Sequence, residues 1–456
     1  MAKDVHSQSR RQFLRNLGMG GASVFGLMAV EPFKAMASKP DDKVVAASAT
    51  AENRMTYRVN RHSGDKVSLL GYGMMRLPFK DGKIDQDMVN QEVDYALAHG
   101  VNYFDTAPIY CNGKSEEAVG IALSRHPRDS YFVATKMSNF GEEMYNLDKA
   151  KEMYYNSLKQ LQVDHIDYYL LHSVGGKGMD DFTPRFEDNG LLEFLLKERE
   201  AGHIRNLGFS YHGNVEVFDY LIDNNDDYNW DFVQIQMNYI DWRHAGKGNT
   251  DAEYLYNKLE KSGIQAVMME PLRGGRLAKV SDEDMKPLRE ARPDDSAARW
   301  AFRWVGSHQN VLTSLSGMTN MHDLEENVET FSPLDLCSEK EYEMLAKVAD
   351  SMAGVPVIPC TDCKYCMPCP FGVNIPGNFA LYNKAMNDKT LPLPDKGEAD
   401  YQERINKVAE LFKDGLKKKE WATKCTDCES CIPKCPQQIR IPSRMTRIVE
   451  ILQKRE

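Results

Sequence analysis

The chain has 456 residues, 27% of them charged, and a formal net charge of −10. That length allows one large core plus a smaller module, and an acidic balance without a basic stripe argues against nucleic acid as a partner. Ten cysteines are present, but all except Cys111 and Cys337 lie in two tight runs, which favours metal ligation over a disulfide framework.

In chain order, "SRRQFLRN" (residues 9–16) supplies a basic head, "LGMGGASVFGLMAV" a modest apolar stretch, and "AMAS" a small-x-small site. That order describes a secretory signal, and Arg10-Arg11 ahead of Phe13 and Leu14 resembles a twin-arginine signal. The reading makes residues 1–37 a signal peptide cleaved near Ala37, with residues 38–54 a small, polar linker. It implies the twin-arginine translocase as a partner during export and a periplasmic location. The stretch is too short and too glycine-rich to be a good membrane span. Nothing later approaches a span, so the mature chain is expected to be soluble. An uncleaved amphipathic tail is the alternative.

From Tyr57 short apolar runs alternate with amphipathic stretches of helical length. The runs are "VSLLGYGMM", "NYFDTA", "YFVATKM", "IDYYLLHSV", "IRNLGFSYH", "FVQIQMNY", "IQAVMMEPL" and "VLTSLSGM". Helices are expected between them, for example over 86–99, 147–161 and 296–308. Eight strand–helix units predict a (β/α)8 barrel, here over residues 55–335. A doubly wound open sheet is the alternative, weakened because no G-x-G-x-x-G follows the first strand. Beyond Phe331 the periodicity changes. Helices are expected near 339–349, at 401–416 and at the C-terminus, so residues 336–456 read as a separate, mainly α module.

The module holds both cysteine runs. Cys360, Cys363, Cys366 and Cys369 follow one another at x2 spacing; Cys425, Cys428 and Cys431 do the same, with Cys435 after x3. A zinc site needs two pairs held apart, whereas three thiolates at successive x2 spacing wrap one face of a cubane cluster and a remote Cys-Pro supplies the fourth ligand. "CPFGVNIP" and "CPQQIRIP" follow the two runs, an internal repeat. Zinc or disulfides remain the alternatives at this point. The module resembles bacterial ferredoxins carrying two [4Fe-4S] clusters. That resemblance implies an exchange of fourth ligands: Cys360, Cys363 and Cys366 with Cys435, and Cys425, Cys428 and Cys431 with Cys369. The x2 spacing before Cys369 and the long insertion between the runs depart from the ferredoxin pattern.

The barrel carries a second constellation. Asp105 ends the second expected strand and Tyr110 lies on the loop after it; Lys136 and His172 end the third and fourth. Polar side chains at the C-terminal ends of consecutive barrel strands converge on the mouth, where barrel enzymes keep their chemistry. Reduction of a carbonyl leaves an alkoxide that needs a proton. Tyr110 would give it if a cation brought its pKa down; Lys136 would be that cation, Asp105 would balance it, and His172 would orient the oxygen. Taken together, and with D-T-A-x-x-Y as the most specific piece, residues 67–330 resemble the aldo-keto reductase family. The resemblance implies Asp105, Tyr110, Lys136 and His172 as a catalytic tetrad and a nicotinamide cofactor contacted by Ser210 and Gln234. Met269, with Glu270 after it, takes the place of the aromatic ring that usually stacks on the nicotinamide. Glu326 and Asn327 match adenine-contacting positions. The eighth-strand segment "VLTSLSGMTNMHDLEENVET" has no Lys or Arg to hold a 2′-phosphate and has Asp323 to repel one, so NAD is at least as plausible as NADP. Cys111 reads as a small thiol beside Tyr110 without a role of its own.

These observations lead to one expectation and two rivals. The expectation is an exported oxidoreductase that interconverts a small-molecule carbonyl and an alcohol, with two [4Fe-4S] clusters relaying electrons to a redox partner protein or quinone-linked system. The rivals are an iron–sulfur electron carrier with a silent barrel and a nicotinamide-dependent reductase with structural clusters.

Overall fold

The computed structural model describes residues 54–246, 248–391 and 400–453. The expected signal peptide, and the linker up to residue 53, lie outside the described residues. Eight parallel strands close into a barrel in chain order: β1 Leu70–Gly73, β2 Tyr103–Asp105, β3 Phe132–Met137, β4 Ile166–Val174, β5 Ile204–Tyr211, β6 Phe232–Gln236, β7 Gln265–Met269 and β8 Val311–Ser316. β8 pairs back onto β1, so the open sheet is excluded. Inside, Tyr168 packs edge-on to Tyr103 and Phe232, at 5.0 and 5.2 Å between ring centroids, and the barrel is a filled core rather than a pore. Gly208 allows β5 to pass close to β6: a Cβ there would lie 2.2 Å from the Phe232 carbonyl oxygen.

The first apolar run forms two elements instead of one. Lys66–Ser68 pairs antiparallel with Tyr57–Val59, and β1 starts only at Leu70. The hairpin is anchored at the start of β5, where Arg205 meets Asp65 at 2.6 Å and Asn60 donates to Asn206 at 3.2 Å. It closes the N-terminal end of the barrel and leaves the opposite end for chemistry. The outer helices start on side-chain caps: Asn146, Asn214, Ser296 and Asn320 each accept a backbone N–H, satisfying donors that the first turn leaves unpaired. Ser296, expected inside a helix, is the cap of Ala297–Gly306. No helix among the described residues is long and apolar enough to cross a membrane.

Helix Glu339–Ala353 packs with the barrel, not with the module expected to begin at residue 336. Its Leu345, Val348, Ala349 and Met352 join the barrel's outer core, and Glu341 takes Arg292 at 2.6 Å and Arg303 at 3.1 Å. A separate core begins at Ile358 and includes Phe379, Val408, Phe412, Met445 and Ile448. Helices Tyr401–Gly415 and Ile441–Gln453 were expected in it; Ile375–Asn387 was not.

The two cysteine runs are one structure used twice. Asp362 and Lys364 have φ of 54° and 64°, and Asp427 and Glu429, their counterparts in the second run, have φ of 57° and 58°. Left-handed residues other than glycine are uncommon, and one stands in each of the two gaps among the first three cysteines of either run, the kind of turn that can coil successive N–H groups into a concavity. Each run then enters a 13-residue helix through an Ile-Pro step, Ile375-Pro376 or Ile441-Pro442.

Candidate active site

The four side chains expected at the mouth are brought together there. Lys136 Nζ, fully buried in β3, donates to Asp105 Oδ1 at 2.5 Å and to the Thr106 carbonyl at 2.8 Å. It also stands 4.9 Å from the centre of the Tyr110 ring. Tyr110 is aimed inward by a tight turn in which Cys111 and Asn112 both take left-handed backbone angles, the kind of strained geometry that an active site retains when its surroundings hold it. His172 lies edge-on to Tyr110, 5.8 Å between ring centroids. It sits where the β4–β5 register slips between Leu171 and Val174, with Ser173 at φ 55°; such a bulge re-aims a side chain. Ser138 Oγ lies 2.6 Å from His172 Nδ1, and Arg185 donates to the His172 carbonyl at 2.7 Å.

Burial governs the protonation of these groups. It pulls His172 well below its ordinary value, reinforced by the charges of Lys136 and Arg185, so the ring is neutral. It lowers Lys136 and raises Asp105, while their contact opposes both shifts. Burial also pushes the Tyr110 phenol well above its ordinary value, with Tyr365 and Asp105 adding to the rise. In this closed arrangement the rise from burial outweighs the lowering expected from Lys136.

The residues matched to nicotinamide contacts are also at the mouth, but engaged. Ser210 Oγ accepts the Ser173 N–H at 2.8 Å, and Gln234 donates to Asp105 Oδ2 at 3.2 Å. Met269 ends β7, half-buried. On helix Met321–Thr330, Asn327 donates to Ser316 Oγ at 3.0 Å, while Glu326 turns away to bond Ser296.

Sequence reasoning missed what lies over them. The tail covers the mouth. Tyr365, between Cys363 and Cys366, places its hydroxyl 3.5 Å from His172 Nε2 and within reach of the Tyr110 hydroxyl. Thr361 is the anchor: its carbonyl accepts Arg76 at 2.5 Å, its side chain lies beside Glu270, and its backbone lies against Gly274. On the far side Gln437 donates to Gln236 at 3.0 Å and accepts from Asn249 at 3.0 Å. No pattern in the sequence marks Tyr365 as a mouth residue, because the run that bears it is remote from the barrel strands in the chain.

The eight clustered cysteines are all free thiols. Cys360, Cys363, Cys366 and Cys435 line one cavity, and Cys369, Cys425, Cys428 and Cys431 line a second, with Cys366 on the wall between. These are the two sets implied by the ferredoxin resemblance. In each, the sulfurs border a cavity instead of converging on one point, and among the described residues no His, Cys, Asp and Glu side chains converge on a single-ion site. A cubane takes one thiolate per iron, whereas zinc draws four ligands to one centre.

Fold and site define an oxidoreductase. Residues 69–350 match the aldo/keto reductase family, and the chain belongs to that family; residues 359–440 match a 4Fe-4S dicluster domain. L-galactose dehydrogenase of Arabidopsis thaliana is 24% identical over 298 residues, 62% of this chain and 90% of its own length. NADH-specific methylglyoxal reductase of Escherichia coli is 25% identical over 324 residues, 63% of this chain and 96% of its own. Among solved structures, an aldo-keto reductase of Bacillus halodurans in its holo form aligns with a TM-score of 0.53 at 25% identity, over 64% of this chain and 96% of its own. An aldo/keto reductase of Klebsiella pneumoniae in complex with NADP and acetate aligns with a TM-score of 0.52 at 21% identity, covering 65% of this chain and 95% of its own, a likeness of fold alone.

Proposed function

We propose that the chain interconverts a carbonyl and an alcohol at the barrel mouth, with Tyr110 as proton donor and acceptor, and that two [4Fe-4S] clusters in the tail carry the electrons. One observation carries this reading: the first cysteine run reaches into the mouth and touches Tyr110 and His172. The residues fit the clusters, since each cavity is lined by its own set of four cysteines, with Cys366 also bordering the second, on a repeated left-handed backbone. Carbonyl and alcohol differ by two electrons and two protons: bound there, such clusters would supply the electrons one at a time, Tyr110 would supply or take the proton on oxygen, and solvent the proton on carbon.

In the direction of reduction, Tyr110 gives its proton to the oxygen that becomes the hydroxyl; in oxidation it takes that proton back. With Ser138 donating to Nδ1, the neutral His172 ring carries its own proton on Nε2 and donates it as a hydrogen bond to the same oxygen. The Lys136–Asp105 pair stands behind Tyr110 and holds a positive end toward the phenol ring, which favours the tyrosinate left after transfer.

A nicotinamide fits this mouth poorly: Met269 replaces the stacking ring, and the Tyr365 and Gln437 contacts lie across the opening. The second reading, a nicotinamide-dependent reductase, draws on the NADH-specific methylglyoxal reductase relative, and the lack of Lys or Arg in residues 311–330 favours NAD over NADP within it. Export through the twin-arginine route to the periplasm belongs to the proposal, because that route carries folded proteins and a cluster protein should travel folded. Its partners would be the translocase and then a redox protein or quinone-linked system. Protein with Arg10→Lys and Arg11→Lys should stay in the cytoplasm.

Anaerobically isolated protein should hold close to eight irons and about eight sulfides; stoichiometric zinc without sulfide would overturn the cluster assignment. Tyr110→Phe should lower kcat by at least ~10²-fold with clusters intact. Full turnover on added NADH or NADPH in a cluster-free variant would make the clusters structural and leave the second reading standing.

A further inference from the structure

One feature of the mouth is not used by that chemistry. The Tyr365 hydroxyl lies within hydrogen-bonding reach of Tyr110 and 3.5 Å from His172 Nε2. These are the two groups assigned to the reacting oxygen, so the phenol oxygen sits where that oxygen belongs. A phenol is a C–O–H group on a flat ring, the same donor and acceptor set as an alcohol. Its ring lies edge-on to His172, 6.5 Å between centroids, and Phe140 flanks His172 at 5.1 Å.

We propose that Tyr365 is a tail-borne residue of the substrate site, an internal occupant whose phenol holds the place of the substrate oxygen and whose displacement admits a flat, ring-bearing alcohol or carbonyl ligand. This rests on reading the mouth as the carbonyl site. The position is built, not incidental. Thr361, four residues before Tyr365, is locked by Arg76, Glu270 and the bare backbone of Gly274. Cys363 and Cys366, on either side of Tyr365, line the cavity nearer the mouth. The backbone that bears Tyr365 is therefore held, and the ring leaves by turning about its own side-chain torsions. A ligand that moves it acts within two residues of two cluster ligands, so occupancy of the barrel and the environment of that cluster are linked.

The test uses holoprotein isolated anaerobically and 4-fluorophenol as probe, followed by fluorine NMR without turnover. Removing the ring leaves a space of phenol shape, and such a space takes up a matching small molecule. Tyr365→Ala should bind 4-fluorophenol at least ~10-fold more tightly than the parent, because the probe no longer competes with a tethered phenol. 4-Fluorotoluene, which has the ring without the oxygen, should bind at least ~5-fold more weakly than 4-fluorophenol. Reduction of the clusters should broaden the bound fluorine signal. The gain should disappear in Tyr365→Ala combined with His172→Ala. Tyr365→Leu, which keeps apolar packing, is measured beside Tyr365→Ala, with iron and sulfide counted in each. Equal affinity in the parent and in a cluster-loaded Tyr365 variant, or a gain that survives loss of His172, overturns the proposal. Because no turnover is read, these results stand apart from the Tyr110→Phe test of the reaction itself.

Discussion

The two cysteine runs share a backbone and little else. Each places left-handed residues at the same two positions and leads through Cys-Pro and Ile-Pro into a helix of equal length. Yet the first run lies in the barrel mouth and the second faces solvent. Thr361 is buried while its counterpart Thr426 is exposed. Tyr365 reaches His172, while its counterpart Ser430 folds back to within 3.2 Å of Cys428 Sγ. Burial pushes the Cys360 thiol up to about 11, whereas the exposed Cys428 is held below its ordinary value by Ser430. The cysteines are common to both runs; Tyr365 in place of Ser430, and barrel partners such as Arg76 and Gly274 that only Thr361 meets, set the first run in the mouth. A duplicated module has thereby acquired an inner and an outer end, the arrangement a relay requires.

The sharpest way to break that comparison is to remove one ligand from each end. Cys363→Ser and Cys428→Ser should each lose about four of the eight irons. Only Cys363→Ser should also disturb the mouth, seen as loss of the near-ultraviolet circular dichroism of Tyr110 and Tyr365 and as a fall in turnover as deep as that of Tyr110→Phe. Equal effects of the two on the mouth would mean that the ends are not distinct.

A second measurement separates barrel stability from tail docking. Glu92 is buried with its Oε2 2.7 Å from the Tyr72 hydroxyl, which lies 3.0 Å from the Met318 carbonyl. The phenol has one hydrogen for two acceptors, so a protonated Glu92 completes the chain by donating to Tyr72. Burial raises Glu92 to about 7. The native state thus holds a proton that the unfolded chain releases above the ordinary carboxyl value. The stability this contributes is full below about pH 4.5 and is lost as pH rises through about 7, roughly 3 kcal/mol in all. Urea titrations across that window should show the fall in the parent, and Glu92→Gln should flatten it. Cys428→Ser should leave the slope as it is.

Smaller lesions grade the docking itself. At Gly274, φ is +68° and a Cβ would come 2.5 Å from the Thr361 carbonyl oxygen, so backbone must move; Gly274→Ala should cost about 2 kcal/mol. At Gly246 the nearest atom is Pro359 Cβ at 3.9 Å, an ordinary van der Waals contact, and Gly246→Ala should cost less than ~0.5 kcal/mol. Gln437→Ala should fall between them at about 1 kcal/mol, through the lost contacts to Gln236 and Asn249. Chemical denaturation of the holoprotein ranks the three. A Gly246 variant as damaged as the Gly274 variant would mean that Thr361 is not the anchor.

The sequence by itself determined the barrel, the four mouth side chains and the eight thiols. Those are local properties: apolar runs at strand length, polar residues at the ends of successive strands, and cysteine spacing that follows a cluster's faces. Residues separated by a fixed number of positions on a regular element have nowhere else to point. What only the tertiary structure decided was how distant segments meet. Helix Glu339–Ala353 belongs with the barrel because Glu341 finds Arg292 and Arg303 there. The apolar run at Val67 breaks into a hairpin and a strand because Asp65 is held by Arg205. Tyr365 becomes a mouth residue because Arg76, Glu270 and Gly274, all remote in the chain, fix Thr361 above it. Such contacts depend on surfaces that exist only after both partners have folded, and no periodicity or spacing in one chain records them.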